Sequence, residues 1–120
     1  MNDFRELIVW QKSIELVEKV YQVTNSFPKE EMFSLTSQIR RSAISIPSNI
    51  AEGFGRKTTP DYIRFLHIAR GSLYELQTQL EISNRIKYLG ENDLRSLIEN
   101  CKEVEKMLNS LIKSLANKIK

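Results

Sequence analysis

Projected at ~100° per residue, the apolar positions of this chain fall into four stripes of helical period. Leu94, Leu97, Ile98, Cys101, Val104, Leu108, Leu111, Ile112, Leu115 and Ile119 form the cleanest one. Tyr62, Phe65, Leu66, Ala69, Leu73, Leu76 and Leu80 form a second, and Leu35, Ile39, Ala43, Ile46, Ile50 and Phe54 a third. Nearest the N-terminus there are two neighbouring stripes, Trp10–Ile14–Val17–Tyr21 and Leu16–Val20–Val23. No run alternates with period two, so the chain is expected to be all-α.

Punctuation sets the expected boundaries. The first helix runs from about Leu7 to Asn25, where Phe27-Pro28 ends it, because the residue before proline is pushed out of the helical region. The second runs from about Glu31 to Arg56. Thr59-Pro60-Asp61 opens the third with a capping oxygen, an early proline and an acid in the first turn. Gly90 closes the third, and Asn92 caps a fourth that runs toward Asn117. Four long amphipathic helices with short connections predict one domain over residues 1–120, an antiparallel up-down-up-down four-helix bundle.

Some apolar residues fall outside the core stripes. Ile44, Pro47 and Ala51 cluster nearly opposite the core side of helix two, and Ile68, Ile82 and Ile86 sit off the core side of helix three. Monomers seldom expose large apolar patches, so these six residues are expected to form a homo-oligomer interface. Pro47 lies inside helix two, where a missing N–H and a ring clash cost ~3 kcal/mol. A kink is therefore expected there, with Ser42, Ser45 and Ser48 permitting close approach and offering hydroxyls to the freed carbonyls.

Charge draws attention to the same segment. Lys and Arg total 18 against 15 Asp and Glu, a net +3 that is modest for a bulk binder of nucleic acid. Residues 40–57 carry Arg40, Arg41, Arg56 and Lys57 against only Glu52, while residues 1–39 are net negative. If helices two and three pack antiparallel, Arg56, Lys57 and Arg64 share one end of the bundle. Such a patch would neutralise phosphates with strong salt dependence. The competing reading is that these arginines pair with Glu52, Asp61 and Glu75, or are simply solvated.

Catalytic and metal chemistry finds little support. The one histidine, His67, follows Arg64 by three residues, so a di-iron Glu-x-x-His pattern is absent. Gly53-Phe54-Gly55-Arg56-Lys57-Thr58 fails the Walker spacing and follows no strand. Cys101 sits mid-stripe as a small core residue, and a lone cysteine forms no intramolecular disulfide. Neither a cofactor nor a metal is expected. No apolar run approaches the ~20 residues of a membrane span, and no basic-then-apolar leader opens the chain, so the expectation is a cytoplasmic protein without a membrane partner.

Phe4, Leu7-x-Val9-Trp10-Gln11-Lys12, Tyr21 and Phe27-Pro28 lead into Arg40-Arg41-Ser42-Ala43-x-Ser45-Ile46-Pro47-Ser48-Asn49-Ile50-Ala51-Glu52-Gly53. Phe65-Leu66 and Ala69-x-Gly71-Ser72-x-x-Glu75-Leu76-x-Thr78 follow. Together these runs resemble the four-helix-bundle family named for proteins encoded in intervening sequences of bacterial 23S ribosomal RNA. The resemblance implies a bundle that assembles into a ring, described as a pentamer. It also implies similarity in fold to the accessory variability protein of diversity-generating retroelements, a basic pentameric barrel that binds nucleic acid and a reverse transcriptase. By that analogy RNA or DNA, and a nucleic-acid-processing protein, are expected partners. No catalytic residue is carried over, because the family has none established.

Two readings follow. In the first, a non-enzymatic ring binds nucleic acid through Arg40, Arg41, Arg56, Lys57 and Arg64, with repetition around the axis multiplying a modest charge. In the second, the bundle is an oligomeric protein–protein scaffold and the arginines are structural.

Overall fold

The computed structural model describes residues 2–119. Among them the chain forms four long helices and no strand: α1 (Ile8–Thr24), α2 (Leu35–Phe54), α3 (Thr59–Arg85) and α4 (Glu91–Ile119). Single 3-10 turns stand before α1 (Phe4–Glu6) and before α2 (Lys29–Glu31). At 1.5 Å per residue, α4 spans ~43 Å, which sets the long dimension of a 48 × 23 × 20 Å molecule.

The boundaries reflect local chemistry. Helix two begins four residues later than the apolar pattern suggests, because Ser34 (φ −128°, ψ −102°) breaks the path between the 3-10 turn and Leu35. Met32 and Phe33 therefore belong to a connection. Thr58, one residue before the expected cap, accepts the Asp61 N–H at the start of α3, and Pro60 follows inside the first turn. Helix three ends at Arg85, before Gly90. Lys87 takes the left-handed conformation (φ 72°), and the N–H groups of Tyr88 and Leu89 return to the Ser83 carbonyl at 2.9 and 3.1 Å. Gly90 instead precedes α4, its carbonyl accepting the Leu94 N–H, and Asn92 lies within the first turn of that helix.

Each helix packs on two others: α1 on α2 and α4, and α3 on α2 and α4. Partner numbers fall along one helix as they rise along the next. On the α2–α3 seam, the Ser45 and Ser72 hydroxyls meet at 2.9 Å and Gly53 lies against Tyr62 and Phe65. Between α3 and α4, Arg70 Nη1 donates to Asn109 Oδ1 (2.8 Å) and the Tyr74 hydroxyl to Glu105 (2.6 Å). Between α1 and α4, Lys12 faces Glu103 while Lys19 donates to Ser96 and Asn100.

The shared core includes Leu16, Val20, Ile39, Ile46, Ile50, Leu66, Leu73, Leu76, Leu80, Leu97 and Leu108, all essentially without solvent exposure. Each buries a side chain worth ~1.5–3 kcal/mol. Ala43 and Ala69, also fully buried, narrow the α2–α3 seam, which is the most extensive in the molecule. On α1 the buried line is Val9–Ser13–Leu16–Val20–Thr24. The neighbouring Trp10, Ile14, Val17 and Tyr21 line is only partly covered.

Candidate interaction surfaces

The arginines anticipated as a basic site separate into two groups. Arg40 leaves α2 toward the C-terminal end of α1. Its Nε donates to Thr24 Oγ1 (2.9 Å), its Nη2 to Asn25 Oδ1 (3.3 Å), and its guanidinium carbon lies 4.4 Å from the Tyr21 ring centroid. Thr24 can accept because its own hydroxyl proton goes to the Val20 carbonyl. Arg40 thus ties two helices together. Arg41, the next residue, is exposed and has no ion-pair partner among the described residues.

Arg56 and Arg64 do meet, at the α2–α3 turn. Their guanidinium carbons lie 4.4 and 4.5 Å from the Phe65 ring centroid. Asp61 serves both, with Nε of Arg64 at 2.9 Å and Nε of Arg56 at 3.9 Å; Glu52 adds a further contact to Arg56 at 3.8 Å. Lys57 is exposed beside them. Three cations are therefore matched against two carboxylates, and the spare charge is small. Arg40 and Arg41 stand ~20 Å away along α2, counted at the helical rise, so the five residues do not form one patch.

The apolar candidates also divide. Ile44 is exposed, Ala51 half-buried and Pro47 buried, and α2 continues through the proline. These three line an open hollow of about 280 Å³ with Trp10, Ile14, Val17 and Ser48. Pro47 is thus a wall of the hollow between α1 and α2. A second hollow of about 380 Å³ continues past Ile44, lined by Tyr21, Met32, Phe33, Ser37, Arg40 and Arg41. Phe33 is the residue that sequence reasoning missed: it is 96 % exposed. Its signal was a large apolar residue just before Ser34-Leu35, which the continuous-helix reading absorbed. Ile68 and Ile82 are exposed on α3, as Tyr74 is, and so is Ile86, the residue just past the end of that helix.

The Ser45 hydroxyl takes partners other than a freed carbonyl. Ser45 meets Ser72 across the helix seam and accepts from Asn49 Nδ2 (2.9 Å), and Asn49 also donates to the Ser45 carbonyl (2.8 Å).

Other titratable groups are held by structure. Cys101 is fully buried, and burial, then the nearby Glu105 charge, pushes its thiol up to about 12. Hydrogen bonds from Ser34 and then Tyr88 hold the Glu31 carboxyl below its ordinary value, and the same Glu31 contact raises Tyr88. His67 is exposed, its Nδ1 2.8 Å from Arg70 Nη2. Among the described residues no group of His, Cys, Asp and Glu is arranged to hold a metal, and no helix is long and apolar enough to cross a membrane.

Four packed helices with exposed apolar and basic surfaces define an all-helical bundle whose distinctive chemistry lies on its outside. The chain belongs to the 23S rRNA-intervening sequence protein family, whose profile matches residues 5–110. It is similar to the crystal structure of a protein with unknown function from the S23 ribosomal protein family of Bacteroides thetaiotaomicron VPI-5482. Identity is 30%, the alignment covers 88% of this chain and 96% of that one, and the TM-score is 0.82. No curated protein matches the chain significantly. Neither similarity indicates a catalytic family.

Proposed function

We propose that this protein is a non-enzymatic, self-associating helical scaffold, an antiparallel bundle whose α1–α2 face makes contact between copies. The observation that carries this reading is the near-complete exposure of Phe33 in a surface that also includes Ile44, Met32 and Tyr21. A phenyl ring left in water forgoes ~1.5–3 kcal/mol of burial, and contiguous apolar surface of this kind usually marks an interface. A closed ring, with five copies as the family resemblance implies, satisfies such faces without leaving any open. Sedimentation velocity of the whole chain tests it: assembly at micromolar concentration is expected, and Phe33→Ser is expected to shift the distribution toward the single chain. A wild-type protein that sediments as one chain contradicts the reading.

A second reading, RNA or DNA binding, draws support from the shared stacking of Arg56 and Arg64 on Phe65 beside exposed Lys57. A ring would repeat this small excess of charge around its axis and create a recruitment surface for a nucleic-acid-processing protein. Arg40 is excluded from that role by its bonds to Thr24 and Asn25. Titration of a structured RNA at low and high salt decides it. Affinity that falls steeply with salt and with Lys57→Glu supports the reading; absence of binding at low salt ends it.

A further inference from the structure

Two unlike exposed apolar faces stand on this chain, and each carries a charge with no partner among the described residues. One is the α1–α2 face, where Phe33 and Ile44 flank Arg41. The other is on α3. Ile68, Glu75 and Ile82 recur there at seven-residue spacing, so they share one side of the helix, and all three are exposed. Gly71 lies on the same side, where an added Cβ would meet nothing within 4 Å. The strip is therefore low between Ile68 and Glu75. Among the described residues no close contact calls for a helix-weakening glycine at that point.

We infer that the α1–α2 face of one copy seats on the α3 face of a second copy, with Arg41 paired to Glu75 of its neighbour and the Phe33 ring beside the strip left low by Gly71. The inference rests on the self-association proposed above and names its two surfaces. Charge complementarity selects the occupant. A two-fold contact of either face with itself would bring Arg41 toward Arg41, or Glu75 toward Glu75, and like charges brought together at an interface are strongly unfavourable. Joining the unlike faces pairs the charges and covers both sets of isoleucines. Contacts of this heterologous kind leave one face of each kind free after the first pairing, so a third copy adds in the same way, and growth stops when a ring closes.

The test uses Arg41→Glu and Glu75→Arg in the whole chain, with far-UV circular dichroism confirming that each is folded and light scattering reporting mass. Each variant alone meets a like charge at every contact, and its association is expected to weaken by at least ~10-fold. In an equimolar mixture every contact between unlike chains pairs opposite charges, and assembly above the single-chain mass is expected to return, as open oligomers or even-numbered rings, because two chains cannot alternate around a ring of five. Pairing of Arg41 with Glu75 inside one chain could not be restored by mixing. Variants that assemble as wild type does, or a mixture that stays apart, overturn the inference while leaving self-association standing. A wild-type chain that is monomeric overturns both.

Discussion

Gly53 in the last turn of α2 lies so close to Phe65 on α3 that a Cβ placed on it would stand 2.9 Å from the Phe65 Cβ. Tyr62 closes the other side, with its Cδ1 at 3.0 Å and its carbonyl oxygen at 3.1 Å from the same position. Two of these three atoms are a side-chain root and a backbone oxygen, which cannot swing away. This contact brings the two helix ends together and sets Arg56 and Arg64 over one ring.

Gly53→Ala is therefore expected to destabilise the fold. The helix-propensity gain of ~1 kcal/mol is outweighed by an overpacking cost of ~1–3 kcal/mol. Gly71→Ala, which meets no neighbour in the protomer, is expected to raise protomer stability by ~0.5–1 kcal/mol. Urea unfolding of the two variants checks the contrast. Equal effects of both would show that the α2–α3 approach is looser than described.

Arg40→Ala is expected to cost ~1–2 kcal/mol, through the lost bond to Thr24 and the lost stacking on Tyr21. Arg40→Lys should recover little, since an ammonium cannot reproduce the guanidinium's planar stacking and paired donors. Arg41→Ala, on an exposed position, should change protomer stability by less than ~0.5 kcal/mol. Thermal unfolding of the three variants measures the difference between neighbours in sequence.

Cys101 is expected to resist thiol reagents in the native state and to react at the rate of chain opening. Its folded value lies above the ordinary 9.0, so the neutral buried thiol stabilises fully below that value. The stabilisation is lost as pH rises toward about 12. Labelling kinetics at mildly alkaline pH check this, with and without denaturant. Rapid modification of the folded chain would contradict the burial.

Glu31 has the opposite sign. Its folded value is held below the ordinary 4.5 by Ser34 and Tyr88, so the stabilisation is present above that value and is lost as pH falls through the lower one. Glu31→Gln should flatten the acid limb of the stability profile while leaving the neutral region less affected. Denaturant titrations from neutral to acidic pH read this directly.

Helix count and core stripes were legible in the sequence because burial on one side of a helix forces a 3.6-residue period. Leu73, Leu76 and Leu80 are fully buried as that period requires. The start of α2 was not legible, since Met32 and Phe33 continue an apolar pattern and only the backbone at Ser34 interrupts it. The end of α3 was misplaced at Gly90 because a lysine rarely adopts the left-handed conformation that Lys87 takes. For the site, projection identified Ile44, Ile68, Ile82 and Ile86 as lying off the core. It could not find the tie between Arg40 and Thr24, which are distant in sequence and meet only once α1 and α2 are packed. Nor could it choose which of the two α1 stripes faces inward, because both are apolar.

Self-association through the exposed apolar surface is tested most directly by the mass of the wild-type chain in solution. Sedimentation velocity at micromolar concentration, across a dilution series, should show a species several times the 14.0 kDa of one chain. That species should fall toward a single chain in Phe33→Ser. A wild-type mass of 14.0 kDa throughout the series would contradict the account.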